Sequence, residues 1–197
     1  MIDSVSGANN QPAFKATLRI ETAVKDSARL KGIAKAFSAK TADMKDILSI
    51  SSNIAEYDNK ECFYLGKKYE NSAAAFFEDS FDTMMEKLND NDLVTKLVKI
   101  AKSIRAVNKR DAYYEMNHSE RFRLQAEQRR NQRIAQGCRE KGDDVMASRF
   151  DVLAGIFGKR LAKMDAEQQK VDANTLKTIE KVADGDAEIL AMKSLIF

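Results

Sequence analysis

The sequence predicts an α+β protein that is mainly α-helical, and three observations support this prediction. Apolar and polar residues alternate with a period of two near the N-terminus, which is typical of half-buried strands. Apolar residues elsewhere recur at three- and four-residue spacing, which is typical of amphipathic helices. A single proline in 197 residues leaves room for long helices, because proline breaks the helical hydrogen-bond ladder. We therefore expect a small N-terminal β-α-β-β unit, followed by a helical bundle or hairpin with one long polar helix.

The composition, with 44% apolar and 32% charged residues, predicts a soluble folded protein with one domain or two small ones. No apolar run approaches the roughly 18 residues that a membrane-spanning helix needs. Residues 1–12 are polar and lack the basic and apolar regions of a secretory signal, so we expect a disordered tail. The same polar tail would also suit an uncleaved export signal, which leaves an exported bacterial helical protein as one alternative.

The two cysteines, Cys62 and Cys138, lie far apart in the chain and form no CxxC motif. So few cysteines do not make a disulfide framework. The pattern favours two reduced thiols in a cytoplasmic protein, with a single disulfide as the alternative.

The first strand and the first helix follow from the pattern of residues 13–42. Apolar Ala16, Leu18 and Ile20 alternate with polar neighbours, which predicts a half-buried strand. Asp26 or Ser27 then caps a helix, because either side chain accepts a hydrogen bond from the free amides of a first turn. An apolar stripe continues this helix to about residue 42.

Residues 44–66 support two interpretations. Alternating apolar residues and serines predict a hairpin with strands near 47–54 and 61–66, joined by a turn at residues 57–60. The alternative is one more helix over residues 42–57, because part of the segment also fits a helical stripe.

The remainder is predicted to be helical. Asn71 or Ser72 caps a helix that carries Phe77 and Phe81 on its buried face and ends near Leu88. A turn and cap cluster at residues 89–92 starts a helix that runs to Val107. Polar residues 108–111 predict a break, after which a long polar helix covers about residues 112–139.

A helical hairpin is predicted at the C-terminal end. Lys141-Gly142-Asp143 combines a terminating glycine with a capping aspartate. Asn174 is expected to cap a short helix, and residues 184–186 to separate it from a final one. The helix over residues 144–170 should bury one apolar stripe, formed by Val145, Met146, Phe150, Leu153, Ile156, Phe157, Leu161 and Met164. The expected organisation is a tail at 1–12, an α+β domain at 13–107, and the basic helix with its hairpin and tail at 112–197.

The sequence argues against catalysis, so we expect no catalytic residue, no cofactor and no metal. His118 is the only histidine, and its Glu115-x-x-His118 spacing supplies half of what a di-iron bundle requires, so a surface histidine near a helix break is the better interpretation. Glu78, Asp82 and Glu86 share one helical stripe that could hold a hard cation, although a solvated face is favoured. Neither a nucleophile motif nor a phosphate-binding loop is present in the sequence.

A basic stretch is the strongest functional feature of the sequence. Residues 96–141 hold 13 Lys/Arg and 5 Asp/Glu, whereas the whole chain carries a net charge of +3. Arginine is well suited to phosphate because its planar guanidinium bonds two oxygens. Tyr113, Tyr114 and Phe122 lie nearby, as in surfaces that stack bases. The candidate binding face is formed by Arg123, Arg129, Arg130 and Arg133. Alternatively, the helix is only solvated, with charges paired locally at Glu120–Arg123 and Glu127–Arg130.

Together these features predict a non-enzymatic interaction or scaffold protein with a protein partner. Self-association through the Met- and Phe-rich helix faces, or through the apolar end at residues 195–197, is one form of interaction that this prediction includes. The alternative is a nucleic-acid-binding accessory protein that uses the basic helix 119–141.

Overall fold

The computed structural model describes residues 16–20, 25–51, 61–65, 74–77 and 79–196. The chain divides into two compact units, residues 1–104 and 105–197, and each is described by itself. The expected tail at residues 1–12 lies outside the described residues. The elements in chain order are β1 (Thr17–Ile20), α1 (Ser27–Lys40), β2 (Ile47–Ser51), β3 (Cys62–Leu65), β4 (Ala74–Phe76), α2 (Phe81–Lys87), α3 (Asp90–Glu140), α4 (Asp144–Ala183), α5 (Ala187–Ala191) and a 3-10 helix (Met192–Ile196).

The first unit contains a four-stranded sheet in the order β1-β2-β3-β4. β1 and β2 are parallel and are joined through α1, whose N-cap Asp26 accepts a hydrogen bond from the Arg29 amide at 2.9 Å. β2 and β3 are antiparallel, with Leu48 opposite Leu65. The predicted α+β class and its β-α-β-β unit are therefore confirmed. The alternative helix over residues 42–57 is wrong, because Ile47–Ser51 is a strand, and the turn at 57–60 lies outside the described residues.

The helix predicted to begin at Asn71 or Ser72 is wrong. Both residues lie outside the described part, but β4 pairs with β3 a few residues later. The helix that follows is α2, capped by Ser80, whose hydroxyl accepts from the Thr83 amide at 3.2 Å. Phe77 belongs with the sheet, because its ring meets the Phe63 ring edge-on at 5.0 Å between centroids. A three-residue strand is too short to leave a period in the sequence.

Large apolar side chains fill the interior of the first unit. Phe37, Phe63 and Phe81 are fully buried, so each of the sheet, α1 and α2 contributes an aromatic ring. The first turns of α3 add a buried stripe at three- and four-residue spacing, formed by Leu93, Val94, Leu97, Ile100, Ala101 and Ile104. Arg29 of α1 provides hydrogen-bond donors for free backbone carbonyl groups at the C-terminal end of α2. Its guanidinium donates to the Leu88 carbonyl at 2.7 Å and to the Met85 carbonyl.

α3 is one continuous helix of 51 residues. It begins after Asn89, whose side chain accepts from the Asp92 amide at 3.0 Å, as the predicted cap cluster requires. The break predicted at residues 108–111 is wrong. Polar side chains there do not interrupt the helix, because none is proline or glycine and Arg110 has partners outside its own turn.

α3 and α4 form a helical hairpin in the second unit. The join is as predicted: Gly142 has φ of +74°, and the Asp143 side chain accepts from the Met146 amide at 3.0 Å. The short helix expected after Asn174 is wrong, because α4 continues to Ala183. The predicted end at residues 184–186 is confirmed, with Asp184 and Gly185 both at positive φ.

The two helices of the hairpin meet along a seam in which alanine, asparagine and leucine side chains are buried. On α4 the buried positions Ala147, Ala154 and Leu161 recur every seven residues, as in a coiled coil. On α3 the buried positions near the hairpin turn are Leu124, Asn131 and Ala135. Polar contacts between the helices fix the antiparallel alignment: Arg139 with Asp151, Arg121 with Asp165 and Gln168, and Arg110 with Asp172.

Candidate functional site

The four arginines of the predicted binding face are all exposed on α3. Arg123 is committed to its own helix, because its Nε and Nη2 donate to the Glu120 carboxylate at 3.0 and 2.9 Å. This hydrogen bond is the main reason why the pKa of Glu120 lies below its ordinary value. The local pairing that was the alternative interpretation is therefore present at Glu120–Arg123.

The other three arginines lie together. Arg129, Arg130 and Arg133 line a shallow groove of about 410 Å³ on α3, with Ala126 and Ile134. Among the residues that the structure describes, none of the three arginines forms an ion pair. Phe122, one of the aromatic residues near this face, is 68% exposed. The arrangement could therefore accept an anionic group.

The apolar stripe predicted on α4 is largely not buried, which corrects the sequence prediction. Leu161 alone of its eight residues is buried, and Phe150, Phe157 and Met164 are half-buried. A helix paired with one other helix buries a single seam, and Ala147, Ala154 and Leu161 occupy it. The large apolar side chains on the opposite side of α4 remain in solvent.

These side chains form a compact exposed surface, which we call the outer α4 face. Val145 and Val152 are 68% and 61% exposed, and Ile156 is 49% exposed. Isolated exposed apolar residues are ordinary, but a contiguous cluster is typical of an interaction site. The face consists of Val145, Met146, Val152, Leu153 and Ile156.

The charged residues of α4 between 145 and 163 are almost all basic, although the exposed Asp144 immediately precedes Val145. Arg149, Lys159, Arg160 and Lys163 are exposed on α4. Asp151 is the only acidic residue in the sequence from 145 to 163, and its carboxylate is paired with Arg139 across the hairpin. The sequence analysis missed these four basic residues. The recurrence of Val145 and Val152 seven residues apart, beside the stripe of Ala147 and Ala154, was the signal that could have found a second face.

An apolar pocket of about 300 Å³ lies between α3 and α4, and His118 and Glu115 are part of its lining together with Tyr113, Tyr114, Asn117, Arg121, Met164 and Gln168. His118 is exposed, as predicted, although it lies within a continuous helix and not near a break. Three of the polar side chains in the lining are engaged: Arg121 donates to Gln168 at 2.7 Å, and Asn117 donates to the Tyr113 carbonyl at 2.7 Å. The Glu115 and His118 side chains are both exposed at this pocket.

A half-buried polar network lies beside that pocket and holds the C-terminal 3-10 helix through the Ile196 carbonyl. Asp172 accepts from Arg110 Nε and from the Tyr114 hydroxyl, both at 2.7 Å, and Arg110 also donates to the Ile196 carbonyl at 2.7 Å. The Arg110 guanidinium lies 4.5 Å from the centroid of the Tyr114 ring. Burial and then the bond to Asp172 raise the pKa of Tyr114, so the phenol remains a neutral donor. This network is structural, because each member already has its partners.

The carboxylate stripe on α2 has a basic partner. Lys25 Nζ lies 3.2 Å from Asp82 and 3.0 Å from Glu86, and hydrogen bonds to these carboxylates raise the pKa of Lys25. Glu78, the third member of the stripe, lies outside the described residues. Across the described part of the chain, no group of three His, Cys, Asp or Glu side chains is arranged to hold a metal ion.

Comparison with protein-family models, curated proteins and solved structures finds no match for this chain. In the described segments, no helix combines the length and the apolar character required to cross a bilayer. The chemistry of the chain's own surfaces is therefore the basis for a functional proposal.

Proposed function

We propose that the protein is a non-enzymatic interaction or scaffold protein that binds a protein partner through the outer α4 face. The observation that carries this proposal is the exposure of five large apolar side chains within three turns of one helix. A partner that buries them would gain about 1 kcal/mol or more for each side chain removed from water. The apolar end of the chain is less suited to this role, because Ile196 is only 4% exposed.

Site-specific photo-crosslinking in cells that naturally make the protein would test this proposal. A photoreactive residue in place of Val152 should give a discrete adduct with a second polypeptide, because that position would lie inside the interface. Lys177, an exposed α4 residue remote in sequence from the face, provides the matched control position. Equal labelling at both positions, or none at Val152, would remove the proposal.

A second candidate function is nucleic-acid binding through Arg123, Arg129, Arg130 and Arg133. The exposure of these side chains supports it, together with the absence of ion pairs at the last three among the described residues. Three phosphate contacts would give a slope of about −2.7 in a plot of log affinity against log salt for duplex DNA.

Titration against generic RNA and DNA, at low and then moderate salt, would test the second candidate. Replacing Arg129, Arg130 and Arg133 with glutamine should abolish the salt-dependent binding. The matched control replaces Lys170, Lys177 and Lys181, three exposed α4 lysines, with glutamine and should leave binding unchanged. Absence of binding by the parent protein at low salt would remove nucleic acid from consideration.

We further propose that the protein is cytoplasmic. Cys62 and Cys138 are both free, which fits a reducing compartment. Export through the polar N-terminus is the alternative. Deleting residues 1–12 in the native host should then abolish export, and unchanged secretion would remove this alternative.

A further inference from the structure

A line of exposed residues runs along the outer α4 face, and we call it the second seam. Its spacing and its charge indicate what kind of partner would bind there. We propose that the occupant of this face is an acidic amphipathic helix, which packs along α4 as a third helix beside the hairpin. This inference rests on the proposed interaction function and names the chemistry of the partner.

The spacing of the exposed residues is that of a helix–helix seam. Residues 145, 149, 152, 156, 159 and 163 alternate four- and three-residue steps, which are the steps of the a and d positions in a coiled coil. All six are exposed, although they lie on the same helix as the buried seam of Ala147, Ala154 and Leu161. α4 therefore has two seams, of which α3 covers one. Eighteen residue steps span ~27 Å, so the partner helix would contain about 18 residues.

The second seam is mainly apolar towards the N-terminus of α4 and basic towards its C-terminal end. Its first three turns contain Val145, Val152 and Ile156, all β-branched and exposed. Its last two turns contain Lys159 and Lys163 instead. A complementary helix would therefore be apolar along one part and would present Asp or Glu along the other.

The charges on the seam favour an acidic partner. Arg149 and Lys159 form no ion pair with any residue that the structure describes. The pairs made by Arg160 with Glu120, at 3.6 Å, and by Lys163 with Glu167, at 3.9 Å, are long and exposed. Acidic side chains opposite these positions would neutralise charges that the chain itself leaves largely unbalanced.

The same charges disfavour a second copy of the chain. Two outer α4 faces packed together would bring their lysines and arginines close to one another. The single acidic residue between 145 and 163, Asp151, is already paired with Arg139. Like charges without intervening acids oppose association.

An anionic membrane would also attract basic residues beside apolar ones, but the seam fits it less well. Interfacial helices insert a broad face that commonly contains Trp, Phe or Leu. Here Arg149 interrupts the apolar line between Val145 and Val152, and the aromatic residues Phe150 and Phe157 are half-buried. The β-branched line of Val145, Val152 and Ile156, which Met146 and Leu153 flank at 36% and 42% exposure, is better suited to the side chains of one neighbouring helix.

Selection of displayed helices against the full-length protein would test this inference. The library would contain amphipathic helices of about 18 residues with a constant apolar seam and random flanking residues. We expect the enriched helices to be net acidic. We also expect the double variant Lys159→Glu/Lys163→Glu to bind them about tenfold or more weakly, because it reverses two facing charges.

Lys177 and Lys181 provide a matched control, because they are also exposed lysines four residues apart on α4. Lys177→Glu/Lys181→Glu should keep the affinity of the parent protein. Enriched helices that are neutral or basic, or an equal loss in both double variants, would overturn the acidic-helix inference. If neutral or basic helices are enriched and bind the variant Val152→Ser/Ile156→Ser more weakly than the parent protein, the interaction function stands. Only the preference for an acidic partner then fails.

Two further measurements test the other two occupants, a second copy of the chain and a membrane surface. Light scattering that finds a dimer, which Val152→Ser/Ile156→Ser dissociates, would replace the acidic helix with a second copy. Co-sedimentation with phosphatidylserine-containing vesicles, lost in the same variant, would replace it with a membrane surface. A monomer that does not sediment with such vesicles supports the acidic helix. Absence of any photo-crosslink at Val152 would instead remove the interaction function itself.

Discussion

The two units of the molecule differ in how completely they bury their large apolar side chains. The sheet-containing unit buries its large side chains, including Phe37, Phe63 and Phe81 at 0% exposure. The hairpin unit also buries apolar side chains, including Leu124, Leu161 and Ile179, but it leaves Val145 and Val152 more than 60% exposed. Among the residues that the structure describes, the first unit therefore exposes no large apolar side chain, whereas the second exposes several, including those of the outer α4 face.

This difference shows that apolar residues in a helix do not identify a core by themselves. α3 contributes the fully buried Leu97 and Ile100 at its start, and further on it buries Leu124, Asn131 and Ala135 along the hairpin seam. The hairpin is held by helix capping at Asp143 and by pairs such as Arg110–Asp172. Such contacts fix alignment and contribute less burial than a large apolar core.

The largest effect is expected from truncating the core of the first unit. Leu97→Ala should lower the free energy of unfolding by about 2–5 kcal/mol, because it removes a fully buried side chain. Leu153→Ala, which truncates a 42% exposed side chain, should change it by no more than about 0.5 kcal/mol. Urea denaturation followed by circular dichroism measures both. A comparable loss in the two variants would contradict the contrast between the units.

An intermediate effect is expected from the polar network of the hairpin. Asp172→Ala should destabilise the second unit by about 1–3 kcal/mol, because it removes the carboxylate that accepts from the Nε of half-buried Arg110 and from the Tyr114 hydroxyl. Glu167→Ala removes only the exposed 3.9 Å pair with Lys163 and should cost at most about 0.5 kcal/mol. Thermal unfolding of the two variants, measured under the same conditions, compares the two losses of stability. Equal midpoints would show that the network is not what holds the hairpin.

The smallest effect is expected in the labelling of the two cysteines by a thiol reagent, one cysteine lying in each unit. Cys62 is fully buried in β3, and burial raises the pKa of its thiol to about 11, whereas Cys138 in the hairpin is half-buried. A thiol reagent at about pH 8 should therefore label Cys138 in the native protein, and Cys62 only after unfolding. Cys138→Ser should abolish the native labelling. Rapid modification of Cys62 in that variant would show that the sheet opens readily.

The same thiol predicts a pH dependence of stability. The folded-state pKa of Cys62 lies above its ordinary value of 9.0, so the folded protein retains a proton that the unfolded chain loses first. The resulting stabilisation is complete below pH 9.0 and decreases as the pH rises towards about 11. The stability difference between the parent and Cys62→Ala should therefore shrink across this window. A constant difference would show that the buried thiol does not contribute.

Several local features were predictable because a few neighbouring residues specify them. The alternation of Ala16, Leu18 and Ile20, the cap at Asp26 and the Gly142-Asp143 join depend on backbone preferences and nearby hydrogen bonds. The expected break at residues 108–111 and the cap at Asn174 failed for a common reason. A polar or capping residue permits a helix end but does not require one when the flanking turns continue in helical form.

The surfaces were predictable in part. The sequence indicated that Arg123, Arg129, Arg130 and Arg133 would be solvated, since apolar residues are few around them, and these side chains are exposed. It did not indicate which of the apolar stripes of α4 would be covered. That outcome depends on the seam chosen by α3, where Ala147 and Ala154 allow close approach of the helices.

The sequence by itself determined the α+β class, the β-α-β-β order, the hairpin turn and the position of the basic stretch. Each depends on short-range periodicity, capping and charge, which neighbouring residues specify. Only the tertiary structure decided that β4 is a strand, that α3 is continuous, and that Val145, Val152 and Ile156 face solvent. Those outcomes depend on which surfaces meet, because burial is a property of pairs of elements that are distant in the chain.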